Sequence, residues 1–148
     1  MNIKLLALIA VLAGFGALVC ADEVKLDATA AGSRLADNIN LPFVNDPAVL
    51  GKWVSVDFVR VPEDFEPGTR QFGGDLYLKD LTFKAGGKMV PGLCFNWTKG
   101  VVLDSCDTTA SAYVIKEIGG AAYMFFEWKS GDYTIRHRQP EYYVLKKE

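Results

Sequence analysis

The stretch that most constrains the fold runs from Ser111 to Trp128. Two alternating segments, 111–118 and 121–128, flank Gly119-Gly120. Paired glycines between two period-two segments signal a two-residue hairpin loop, whose favoured turns need positive φ. So short a loop sets the register, placing Ile118 opposite Ala121, Ile115 opposite Met124 and Tyr113 opposite Phe126. One face then carries Tyr113, Ile115, Met124, Phe126 and Trp128, with charge only at Glu117. The other carries Val114, Lys116, Tyr123, Phe125 and Glu127. Alternation along a strand assigns the first face to an interior.

The remaining segments supply partners for that hairpin. Residues 52–60 alternate, with Val54, Val56 and Phe58 on one face and Trp53, Ser55, Asp57 and Val59 on the other. Pro62 and Pro67 exclude 61–74 from a central strand, leaving a polar loop long enough to cover a barrel mouth. A second strand is expected at 75–84, bent near Lys79-Asp80 because Leu78 and Leu81 differ in parity. Gly86-Gly87 makes a turn. The third strand is interrupted by Pro91-Gly92 and resumes at 93–98, and the fourth is 101–105. Beyond the hairpin come a turn at 129–132, a seventh strand at 133–136, a loop at 137–140 and an eighth strand at 141–147. The pattern predicts an all-β fold, an eight-stranded antiparallel up-and-down barrel whose closure removes exposed edges. A short N-terminal helical turn precedes it, capped by Asp46, with Pro47 at its first position and Gly51 releasing it.

The N-terminus reads as an export segment. Lys4 precedes an apolar run at 5–19, and Val19-Cys20-Ala21 offers a cleavage site before Asp22. The run falls short of the roughly 20 apolar residues that span a bilayer, so a signal peptide over 1–21 is expected. Cys20 is also a candidate for lipidation. Residues 22–40 read as a flexible tether and 41–148 as the barrel domain. Export implies a secreted, periplasmic or cell-envelope protein. Removing Lys4 from the 16 basic residues leaves 15 against 18 acidic ones, so no clustered positive charge is expected for nucleic acid or anionic membrane. Membrane association after cleavage would need the lipid on Cys20. Cys94 and Cys106 remain, an even count that favours a disulfide in an exported chain. They lie symmetrically about Gly100 and would face each other across a hairpin centred there; two separate buried thiols are the alternative.

Four strings carry a family likeness. LPFVNDPAVLGKWVSVDF at 41–58, WTKG at 97–100, YMFFEWKSGDYTIR at 123–136 and YYVLKK at 142–147 resemble a bacterial exported lipocalin-like (calycin-type) domain. Such modules occur as stand-alone exported proteins and at the C-terminus of some antirepressor sensors of the beta-lactam-response type. The resemblance implies that Gly51 and Trp53 open the first strand as a barrel-closing frame. It also implies that an arginine stacks over Trp53 through a cation–π contact, Arg136 first and Arg138 second. The binding end would then lie opposite Trp53. The sensor proteins' transmembrane and protease portions have no counterpart here, so a signalling role does not carry over.

No catalytic constellation stands out. His137 is the only histidine, too few for a His-rich metal site or a Ser-His-Asp relay, and it reads as an exposed loop residue. Asp57, Glu63, Asp64 and Glu66 are acidic neighbours whose proline-broken spacing does not match a calcium loop. Glu127 and Asp132 border a turn and read as salt-linked with Lys129 rather than catalytic. Asn96-Trp97-Thr98 matches a glycosylation sequon, which the likeness to a bacterial domain implies is a chance occurrence. A non-enzymatic monomer without metal or cofactor is expected. The candidate ligand-binding residues are Phe58, Tyr113, Met124, Phe126 and Trp128. Eight-stranded barrels are just wide enough to be filled by side chains or to hold one small ligand. Residues this large predict a mostly filled interior with a shallow pocket at one mouth. The expected function is binding of a small apolar or amphipathic ligand there, gated by the 61–74 loop. The alternative is a cell-envelope interaction or sensory module with a filled barrel.

Overall fold

The computed structural model describes residues 33–148. The export segment, Cys20 and the first part of the tether lie outside the described residues. Eight strands follow in order: β1 (Gly51–Val59), β2 (Asp80–Phe83), β3 (Met89–Val90), β4 (Phe95–Thr98), β5 (Val101–Asp104), β6 (Thr109–Ile118), β7 (Ala121–Trp128) and β8 (Glu141–Lys147). They form one antiparallel sheet in the order β3-β2-β1-β8-β7-β6-β5-β4. The two outer strands meet through a single bridge between Lys88 and Asn96, so the barrel is up-and-down and nearly closed.

The β6–β7 hairpin has the expected register, with Tyr113 opposite Phe126, Ile115 opposite Met124 and Ile118 opposite Ala121. Gly119 and Gly120 both have positive φ, as a primed two-residue turn requires. Tyr113, Met124 and Phe126 point inward and join Trp53, Phe83, Trp97, Val102, Tyr143 and Leu145 in the main core. Each large side chain buried in this way contributes about 1.5–3 kcal/mol. These side chains pack together inside the barrel.

Strict alternation fails in β1. A bulge lets Ser55 pair with Leu145 and Asp57 with Val144, leaving Val56 as the extra residue. Trp53 and Phe58, of opposite parity, consequently both join the interior core, while Val59 joins a second cluster with Tyr123, Phe125 and Val144. That second cluster lies on the outer side of the wall. The 61–74 loop covers part of it through Phe65, whose ring packs 5.0 Å from Tyr123 and 5.8 Å from Phe125. The loop therefore belongs partly to the wall and is not simply a lid.

Three expected elements differ. Residues 133–136 are not a strand: Gly131–Thr134 forms one helical turn, α1. The Ser130 Oγ accepts the Asp132 N–H and Asp132 sits in the first turn, a capping pattern that wins over short-range alternation. The count of eight is kept because the interrupted third strand is two strands. Pro91 offers no N–H, and a side chain at Gly92 would meet the Met89 carbonyl oxygen at 2.6 Å. Only Asp80–Phe83 of the long second segment pairs, although Leu76 is still buried.

The described part of the expected tether, 33–40, and the start of the barrel segment, 41–44, both make contacts with the barrel. Residues 33–44 run along the barrel as a docked strap. The Leu35 N–H donates to the Thr134 carbonyl (2.8 Å) and the Asp37 N–H to the Thr108 carbonyl (2.8 Å). The Val44 N–H donates to Thr98 Oγ1 (2.8 Å), and the Phe43 ring packs edge-on against Trp97 at 5.3 Å. Ala-rich composition conceals this docking because its partners lie far along the chain.

Candidate functional site

The closed end is built around Trp53, which is fully buried. Its Nε1–H donates to the Val49 carbonyl (2.7 Å), so the turn at 46–50 ties directly to the ring. Gly51 takes φ +112°, a conformation that side-chain-bearing residues rarely adopt. The cation over Trp53 is Lys147, 5.3 Å from the ring centroid, whose ammonium also donates to the Ala48 carbonyl (2.8 Å). This corrects the expected arginine. Arg136 follows α1 instead of ending a strand, is exposed, and pairs with Asp132. Lys147 is placed by β-pairing, since it lies opposite Trp53 in β8.

At the other ends of β1 and β8 the barrel opens into a cleft of about 880 Å³. Its aromatic lining is continuous. Phe72 meets Phe58 at 5.5 Å, Phe58 meets Tyr143 at 4.8 Å, and Tyr143 meets Trp128 at 5.1 Å, all edge-on. Edge-to-face pairs of this kind contribute about 0.5–1.5 kcal/mol each beyond burial. The Tyr143 hydroxyl oxygen accepts the Leu78 N–H (3.4 Å). Arg60, Asp75, Arg138 and Glu141 stand at the rim with Tyr77, which is 88% exposed.

Of the five expected ligand-binding residues, Phe58 and Trp128 line this cleft. Tyr113, Met124 and Phe126 are not part of its lining and lie in the packed core. The Tyr113 hydroxyl donates to Asp46 Oδ2 (3.1 Å), and burial raises its pKa well above the usual phenol range. Sequence reasoning missed Phe72 and Tyr143. Tyr143 was accessible from the alternation of 141–147, whereas Phe72 lies in a loop without periodicity.

The charged candidates are already occupied. Asp57 is almost wholly buried, and its carboxylate accepts the N–H groups of Phe58 (2.8 Å), Gln71 (2.9 Å) and Phe72 (2.9 Å). Glu127 accepts the Ala112 N–H (3.0 Å) and lies 4.0 Å from Lys129. The Lys129 ammonium donates to Asp37 Oδ2 (2.8 Å) and to the Ala110 carbonyl (2.7 Å), and it sits 4.7 Å from the Tyr133 ring centroid. Asp37 also accepts the Ala110 N–H (2.9 Å) and the Tyr133 hydroxyl (2.9 Å). Burial would raise the Asp37 pKa, but these donors outweigh it and hold the carboxyl below its usual value. Burial opposes the charge on Lys129 too, yet its bond to Asp37 raises its pKa. His137 bonds the Ser33 carbonyl through Nε2 (2.9 Å). Among the described residues, the candidate metal ligands that converge are Cys94, Asp104 and Cys106, and the two cysteines are joined as a disulfide.

The fold and its open end define a class: an eight-stranded antiparallel up-and-down barrel with a packed aromatic core and an aromatic mouth. No protein-family model, curated protein or solved structure matches the chain.

Proposed function

We propose that this chain is an exported, non-enzymatic lipocalin-like domain that binds a small amphipathic ligand across the barrel mouth. The observation that carries this reading is the continuous aromatic lining of the cleft, Phe72-Phe58-Tyr143-Trp128, beneath a rim bearing both signs of charge. The wall is aromatic but the lining also carries Arg60, Asp75, Glu127, Asp132, Arg138 and Glu141, a mixture that suits an amphipathic ligand better than a purely apolar one. Because Met124 and Phe126 are packed in the core and are not part of the cleft lining, the ligand is compact and lies over the mouth, and a long chain threading the barrel is disfavoured.

Trp128 reports occupancy, and Trp53 and Trp97, both buried, serve as internal references. Titration with anilinonaphthalene sulfonate, oleate and haemin should change Trp128 emission, with the compact aromatic probe binding tightest. The Trp128→Phe variant should lose the signal. No change with any of the three probes would remove the ligand-binding reading. The second reading, an envelope interaction module that docks through its rim, draws on the packed core and on the exposed Tyr77 ring. It predicts a crosslink from position 77 to one envelope protein.

A further inference from the structure

We propose that Asp57 is the positioning residue of the cleft, latching the far end of the 61–74 loop so that Phe72 forms one wall of the site. This rests in part on the ligand-binding reading above.

The argument begins with the bulge at Val56. It turns Asp57 to the side of the sheet that Val144 shares and returns Phe58 to the interior beside Tyr143. A carboxylate on that side, only 1% exposed, needs donors, and among the described residues no lysine or arginine supplies them. A buried acceptor left without donors is costly, and more so when charged. The donors are backbone N–H groups. Phe58 contributes one from β1, and Gln71 and Phe72 contribute two from the loop, 14 and 15 residues along the chain.

Phe72 is thus held at its own amide while its ring meets Phe58 in the cleft lining. The Gln71 side chain also donates to the Asp64 carbonyl, tying the two halves of the loop together. The first half is independently fastened to the outer wall through Phe65. Losing the Asp57 latch therefore frees residues near 71–72 without releasing the whole loop. Hydrogen bonds from backbone N–H to a charged acceptor are among the stronger ones in proteins. Asparagine at 57 keeps one acceptor oxygen but turns an NH₂ group towards at least one of these donors.

Amide hydrogen exchange on the full chain tests the latch. In the unmodified protein, the Gln71 and Phe72 amides should be protected while those of Gly68 and Gly73 exchange freely. In Asp57→Asn, exchange at Gln71 and Phe72 should rise at least tenfold more than exchange in the β7–β8 ladder. Binding of anilinonaphthalene sulfonate, followed by calorimetry, should weaken about tenfold in Asp57→Asn and in Phe72→Ala. Phe72→Ala should keep the Gln71 amide protected.

Unprotected Gln71 and Phe72 amides in the unmodified protein would overturn the latch, and this arm needs no variant to fold. Equal acceleration everywhere in Asp57→Asn would show a purely structural carboxylate and overturn positioning. Freed amides with unchanged or tighter probe binding would do the same. If the unmodified protein does not bind the probe, the ligand-binding reading fails for that probe, while the exchange data still decide the latch.

Discussion

Replacing Lys129 with methionine should destabilise the domain by about 2–3 kcal/mol, a value between the cost of breaking a buried ion pair and that of an exposed one. The reasoning starts from burial. The Lys129 side chain is 12% exposed and that of Asp37 19%, so the pair is partly shielded from water. Breaking a fully buried pair costs about 3–5 kcal/mol, because the remaining charge is stranded. Here Asp37 retains the Ala110 N–H and the Tyr133 hydroxyl, which lowers that figure. Asp37→Asn should cost less, about 1–2 kcal/mol, since an amide oxygen still accepts and Lys129 keeps the Ala110 carbonyl. The double variant should be less damaging than the sum by about 1–2 kcal/mol, the coupling of two contacting residues. Urea unfolding followed by circular dichroism measures all three. At about 4 °C per kcal/mol for a domain of this size, Lys129→Met should melt about 8–12 °C lower.

The pH dependence gives the sharper check. The Asp37 carboxyl is held below its ordinary 3.8, so its contribution is present above that pH and is lost as pH falls through the lower folded value. The Lys129 ammonium is held above its ordinary 10.5, so its contribution is present below that pH and is lost as pH rises through the higher folded value. The gap between the unmodified protein and Lys129→Met should therefore be flat from about pH 5 to 9 and narrow on both sides. Additive single effects, or a gap that ignores acid, would refute the reasoning.

Two further outcomes follow from the closed end and the far hairpin. Lys147→Met removes a cation–π contact and a bond to the Ala48 carbonyl, and should cost about 1–2 kcal/mol, whereas Arg136→Ala should stay within about 0.5 kcal/mol. Paired melting curves decide which cation closes the barrel. Replacing both Cys94 and Cys106 with alanine opens a loop whose ends are 12 residues apart and should cost up to about 3 kcal/mol, measured by urea unfolding against the oxidised protein.

Much of this architecture was legible in the sequence. Paired glycines between alternating segments determined the β6–β7 register, because a two-residue loop leaves the strands no freedom to slip. Apolar alternation on 113–128 determined the inward face, and Pro91-Gly92 marked the break between β3 and β4. Tertiary structure decided what depends on partners distant in the chain. The β1 bulge is set by fit against β8 and carries no local signal, yet it turns Phe58 into the mouth and Asp57 under the loop. The cation over Trp53 depends on which residue lies opposite it in β8, and only pairing selects Lys147 over Arg136. Asp37, in a stretch that reads as tether, becomes part of the barrel because Lys129, Tyr133 and Ala110 converge on it. Periodicity records which face of a strand meets the core; buried charges take their meaning from partners that folding brings to them.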